Sequence, residues 1–86
     1  MRFSFTHPMS AGDHDPRLVG REGLTRLALA AEAAGFDAIG FTDHPMPGSR
    51  WLAAGGHDAL DPFSALAFCA AATSRLRLMT NIAVLP

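Results

Sequence analysis

The stretch Arg21–His44, REGLTRLALAAEAAGFDAIGFTDH, decides the fold. Leu24, Leu27, Ala28 and Ala31 recur at i, i+3, i+4 and i+7. That spacing makes one apolar stripe of a helix over Glu22 to Ala34. Glu22 and Arg26, four residues apart, sit on its solvent side, and Gly23 weakens the first turn. Gly35 follows the last turn as the left-handed residue that ends a helix, with Phe36 placed for the hydrophobic contact beyond it. Asp37 to Phe41 then reads as a short, mostly apolar strand. It begins two residues after the helix, a spacing typical of a helix-to-strand connection.

Towards the N-terminus, Arg2 to His7 alternates. Phe3, Phe5 and His7 fall on one side and Arg2, Ser4 and Thr6 on the other, the pattern of a strand near residues 2–7. Pro8 ends it, because proline cannot donate to a ladder. Met9 to Val19, with Gly12, Asp13, Asp15 and Pro16, reads as a loop. Towards the C-terminus, Thr42 to Leu60 shows no clear periodicity and reads as a long loop, a length that in compact domains usually accompanies function or disorder. Asp61-Pro62 opens a second helix with an acidic N-cap and proline at the first position. This helix, residues 62–73, is almost entirely apolar and is expected to be buried on more than one side. Leu76 to Leu85 reads as a third strand.

The order is strand, helix, strand, loop, helix, strand. Helices between the strands predict a parallel sheet with right-handed crossovers, in the order 1-2-3 with the helices outside. A (β/α)8 barrel has about 250 residues, so 86 residues correspond to roughly three of its eight units. The predicted fold is α/β, the N-terminal three-strand part of a TIM barrel. A doubly wound sheet has the same order, but the first strand runs into Pro8-Met9-Ser10-Ala11-Gly12 with no GxGxxG fingerprint. The open strand edges and the apolar helix predict a chain that is unstable alone or associates. The predicted partner is a second copy, giving a homo-oligomer through helix 62–73 around Phe63, Leu66, Ala67 and Ala70.

Composition narrows the function. The chain is 49% apolar and 17% charged with net charge -1, which gives no electrostatic reason to bind nucleic acid or an anionic membrane. All seven basic residues are arginine. Without lysine there is no Walker A lysine, Schiff-base lysine or PLP lysine within these residues. Cys69 is the single cysteine, so no intrachain disulfide and no CxxC site forms. No apolar run reaches the roughly 18 residues of a membrane span. The start, Met1–Pro8, lacks a signal-peptide pattern, and the expected location is the cytoplasm.

In either parallel architecture the chemistry sits at the C-terminal ends of the strands. Asp43 and His44, just after the second strand, are the leading candidates. A carboxylate beside an imidazole can hold a polar cofactor edge or move a proton near neutral pH. The plainer alternative is a loop cap and a solvated imidazole. His7 could line the mouth or simply end its strand. Trp51 could form an apolar substrate wall or pack the loop down. His14 and His57 read as solvated loop residues. His7, Asp43 and His44 could supply three zinc ligands, but no H-x-H or H-E-x-x-H spacing supports a metal. Cys69, among alanines, reads as packing. Asn81, an amide in an apolar strand, needs a partner, either a ligand's edge or neighbouring backbone.

The run Ala30-Ala31-Glu32-Ala33-Ala34-Gly35-Phe36-Asp37-Ala38-Ile39-Gly40-Phe41-Thr42-Asp43-His44 resembles the luciferase-like monooxygenase superfamily. The nearest branch is its deazaflavin (coenzyme F420)-dependent oxidoreductases. There the first helix ends in A-E-x-x-G-F-D and the next strand in an Asp-His pair. Leu78-Met79-Thr80-Asn81-Ile82-Ala83 resembles the family's L-G-T-x-V-x segment, with Met79 in place of the usual glycine. The resemblance implies a TIM-barrel enzyme with coenzyme F420, or alternatively FMN, at the barrel mouth and a small organic substrate beside it. It implies that Asp43 and His44 lie against the ring as catalytic and cofactor-binding residues. Thr80, Asn81 and Ile82 would form the bulge under the ring, with a cis peptide between Asn81 and Ile82. By their own positions in the chain, after the first strand and in the long loop, His7 and Trp51 are the expected substrate-pocket residues. Cofactor-phosphate contacts would come from later strands, so the 86 residues alone are expected to be inactive. The competing readings are an FMN-dependent monooxygenase and, from another class, a non-catalytic fragment or assembly piece whose apolar helix only makes contacts.

Overall fold

A computed structural model of the chain describes residues 1–10 and 15–85. Three strands, β1 (Ser4–Thr6), β2 (Ala38–Phe41) and β3 (Arg77–Thr80), form one parallel sheet in the order β1-β2-β3. Phe5 stands opposite Ile39, and Ile39 opposite Leu78. The helix α1 (Arg21–Ala33) crosses from β1 to β2. A short helix α2 (Ser49–Ala53) and then α3 (Pro62–Ala72) lie between β2 and β3. This is an α/β architecture with an open three-stranded parallel sheet, consistent with part of a TIM barrel.

Local chemistry sets each boundary. α1 ends in the two-bond C-terminal motif that a left-handed residue allows. Gly35, at φ +91°, donates to Glu32 O, and Phe36 N–H donates to Ala31 O, each at 3.1 Å. Phe36 then packs edge-on against Phe5, 5.5 Å between ring centres. α3 starts where Asp61 accepts the Ser64 N–H at 2.9 Å, with Pro62 in the first turn. Hydrogen bonds from Ser64 hold the Asp61 carboxyl below its ordinary range.

The core lies between one sheet face and the two long helices. It joins Leu24, Ala28 and Ala31 of α1, Ile39 and Phe41 of β2, and Ala65, Leu66 and Cys69 of α3. Burial pushes the Cys69 thiol pKa up, so it stays a protonated packing group. Because strand side chains alternate, Ser4, Thr6, Ala38, Gly40, Arg77 and Met79 line the opposite face. Gly40 has a packing role there: a Cβ on it would stand 3.1 Å from Met79 Cγ.

Four expectations change. First, α3 buries only one side: Pro62, Ala65, Leu66 and Cys69 face inward while Phe63, Ala67 and Ala70 are exposed. Leu66 is therefore core rather than contact surface. Second, β3 stops at Thr80 instead of running to Leu85. The ladder's last bond among the described residues is Asn81 N–H to Phe41 O at 2.8 Å; beyond Phe41 the β2 chain leaves the sheet. Third, the loop after β1 contains 3₁₀ turns at Pro8–Ser10 and Pro16–Val19, the second capped by the Asp15 side chain on Arg17 N–H. Fourth, Gly23 does more than weaken a turn. A Cβ on it would stand 1.9 Å from Arg17 O, so glycine lets α1 sit against that 3₁₀ turn.

Candidate functional site

The motif Glu32-Ala33-Ala34-Gly35-Phe36-Asp37 works at the N-terminal end of the sheet. Glu32 is on the inward side of α1 and only 9% exposed. Its carboxylate accepts the N–H groups of Ser74, Arg75 and Leu76, the closest at 2.7 Å from Arg75 and 2.8 Å from Leu76. Those bonds fasten the turn between α3 and β3 to the end of α1. The Arg75 N–H is the strongest influence holding the Glu32 carboxyl below the usual glutamate range, with burial acting in the opposite direction. Asp37 accepts Phe3 N–H at 2.8 Å, and its own N–H donates to Phe3 O, so it ties the start of β1 to β2. This fastening role for Glu32 escaped the sequence reading because its partners lie 42 to 44 residues away.

The C-terminal end is built differently. Asp43 and His44 leave the sheet just after β2, both half-buried. The Asp43 carboxylate accepts Val84 N–H at 2.8 Å and so braces the segment after β3. Asn81 and Ile82 follow β3 directly; both are exposed, and the peptide bond between them is cis. The Asn81 amide makes no side-chain hydrogen bond among the described residues. Thr80 stands opposite Phe41 in register, half-buried.

His44 has aromatic neighbours. Its ring centre lies 4.9 Å from that of Trp51 and 4.6 Å from that of His57, the latter edge to face at 82°. Trp51 sits on α2, within the span expected to be a featureless loop. His57, expected to be solvated, is half-buried beside His44. The sequence signal for both was Trp51-Leu52-Ala53-Ala54-Gly55-Gly56-His57: a short alanine-containing turn of helix stopped by glycine.

His7 does not join this group. It is 2% exposed, stacked on Phe41 with ring centres 5.1 Å apart, on the helix side of the sheet. Nδ1 accepts Met9 N–H at 3.2 Å, and Nε2 stands 3.0 Å from Leu18 O, to which it donates. Both ring nitrogens are engaged in holding the chain after β1, so His7 is a packing residue and not a lining of the mouth. Among the described residues no group of three His, Cys, Asp or Glu side chains could hold a metal ion. His14 lies outside the described residues.

A groove of about 1090 Å³ lies away from this site, along α1, and is lined by residues such as Arg17, Arg21, Arg26 and Leu27. Among the described residues no helix is long and apolar enough to cross a membrane.

No curated protein and no solved structure matches the chain. The family model for luciferase-like monooxygenase matches residues 1–86, the whole length. With the parallel sheet and the motif residues now located at its two ends, the chain belongs to the luciferase-like monooxygenase family.

Proposed function

We propose that this chain carries the cofactor-facing end of an oxidoreductase that passes a hydride between coenzyme F420 and a small organic substrate. The observation that carries the reading is the gathering of Asp43, His44 and Asn81 at the C-terminal strand ends in a chain of this family. A flat ring with polar edges needs apolar surface under it and hydrogen-bonding groups at its rim. Ile82 offers the first, and the unengaged Asn81 amide with the His44 imidazole offers the second. The residues present fit such a group.

When bound, the deazaflavin supplies the hydride chemistry. His44 is the proton-moving group, through an imidazole nitrogen at the rim of the site. Asp43 holds Val84, and through it the backbone beyond Ile82, at the edge of the mouth. Asn81 orients the ring by its amide, and Trp51 walls the substrate side and keeps water away. The face of α3 formed by Phe63, Ala67 and Ala70 is the proposed contact with a second copy, to be checked by sedimentation.

The test is titration of the purified protein with deazaflavin and with FMN, followed by absorbance. Preferential deazaflavin binding that is lost in Asn81→Ala and His44→Ala is the expected result. Preference for FMN, with oxygen consumed on turnover, favours the monooxygenase reading that the family's description carries. Binding of neither, or binding unchanged in both variants, removes the site from these residues.

A further inference from the structure

The segment between His44 and α3 folds back on itself. α2 closes with Gly55 N–H on Leu52 O at 3.4 Å and Gly56 N–H on Trp51 O at 2.9 Å, with Gly55 at φ +102°. This is the same ending that α1 makes at Gly35. The return carries Gly56 directly over the indole of Trp51. A Cβ on Gly56 would stand 2.3 to 2.7 Å from three indole carbons, all fixed ring atoms. Only a residue without a side chain allows that approach.

His57 comes next in the chain and meets both other rings. Its centre lies 4.6 Å from His44 and 5.5 Å from Trp51, while Trp51 lies 4.9 Å from His44. Its Nδ1 is 2.9 Å from Asp58 O. A carbonyl oxygen only accepts, so Nδ1 is the donor, and this bond fixes the orientation of the His57 ring.

We infer that Gly56, Trp51 and His57 form a clamp that fixes the imidazole of His44 for proton transfer. Trp51 and His57 are positioning residues, and Gly56 is the residue that lets the indole close. Two rings against one imidazole, at different tilts, leave its side chain little rotational freedom. The inference rests on the reading of His44 as the proton-moving group.

The test is nuclear magnetic resonance of the imidazole CH groups. Trp51 is the only tryptophan, so its indole signals are unambiguous. The wild-type protein is expected to show Overhauser effects from the His44 ring to the indole and to the His57 ring. In Gly56→Ala the indole effects are expected to vanish while the His7 signals, set by the stack on Phe41, stay in place and report an intact fold. If Gly56→Ala disturbs His7 as well, Trp51→Leu, which adds no clashing atom, is read instead, with disappearance of the His44–His57 effect expected. In the cofactor-loaded enzyme, Gly56→Ala and His57→Ala are expected to lower kcat with KM unchanged, and His57→Phe to restore most of kcat by supplying a ring edge. Absence of a His44–Trp51 effect in the wild type, or its persistence in Gly56→Ala, overturns the clamp. If the effect vanishes in Gly56→Ala while kcat holds at the wild-type value, the role of His44 in proton transfer is overturned instead.

Discussion

At the N-terminal end of the sheet, two carboxylates work entirely on backbone. Glu32 takes three N–H groups from the turn before β3, and Asp37 takes one from Phe3 at the start of β1. At the C-terminal end, Asp43 takes a single N–H from Val84, and the rest of the polar inventory stays open: His44 among aromatic rings, and Asn81 exposed. Similar residue types thus serve opposite purposes. A carboxylate surrounded by donors holds strands in register. An imidazole held among rings and an exposed amide, neither with a side-chain hydrogen bond among the described residues, can serve a ligand. In parallel α/β folds the first kind of end reads as stability and the second as chemistry. The A-E-x-x-G-F-D motif belongs to the first kind, and the proposed function puts the Asp-His pair in the second.

The comparison can be broken first at the core. Phe41, the last residue of β2, is 2% exposed and stacked on His7. Phe41→Ala should cost about 3–5 kcal/mol, the usual range for an aromatic core deletion. Denaturant unfolding measures it. A cost under about 1 kcal/mol would mean that the core does not couple the sheet to the helices.

Glu32→Gln should be the next most damaging. The neutral amide accepts more weakly, and its NH₂ group meets the N–H donors of Ser74, Arg75 and Leu76. Because the folded carboxyl titrates below its ordinary value, its contribution is complete above about pH 4.3 and disappears as pH falls through the lowered value. Wild type and Glu32→Gln should therefore differ in unfolding midpoint at pH 7 and converge in strong acid. A difference that does not change with pH would show that the carboxylate charge is not what fastens the turn.

Gly35→Ala forces a Cβ into the left-handed region at φ +91°, where the surrounding space is open. The expected loss is about 1–2 kcal/mol, from conformation and not collision. Thermal unfolding checks it. At the other end, Asp43→Ala should change stability by less than about 0.5 kcal/mol, the range for surface substitutions, while the Val84 amide exchanges faster with solvent. A large stability loss there would mean that the C-terminal end is fastened as firmly as the other.

Much of this fold was readable along the chain because it is locally encoded. The stripe from Leu24 to Ala31, the stop at Gly35, and Asp61-Pro62 each specify an element from neighbours within a turn or two. What the sequence could not show was contact between distant residues. Alternation put His7 and Phe5 on one side of β1, but which side would meet the helices depended on Leu18 and Phe41. The end of β3 depended on where β2 left the sheet. Glu32 was legible only as part of the A-E-x-x-G-F-D motif, without a role, since its partners belong to another connection. His57 looked solvated because only the return of the chain at Gly55 brings it to His44. The Asp-His pair was legible as a candidate by its place after a strand, and its aromatic surroundings were not.

The most direct test of the division between the two ends is His44→Ala in a complete, cofactor-loaded barrel enzyme that carries this chain, with turnover and unfolding midpoint measured on the same preparation. A fall in turnover of about 10²–10⁴-fold, the usual worth of a general acid or base, with an unchanged midpoint is the expected result. Unchanged turnover, or a loss of turnover that only tracks a loss of stability, would contradict the assignment of chemistry to this end of the sheet.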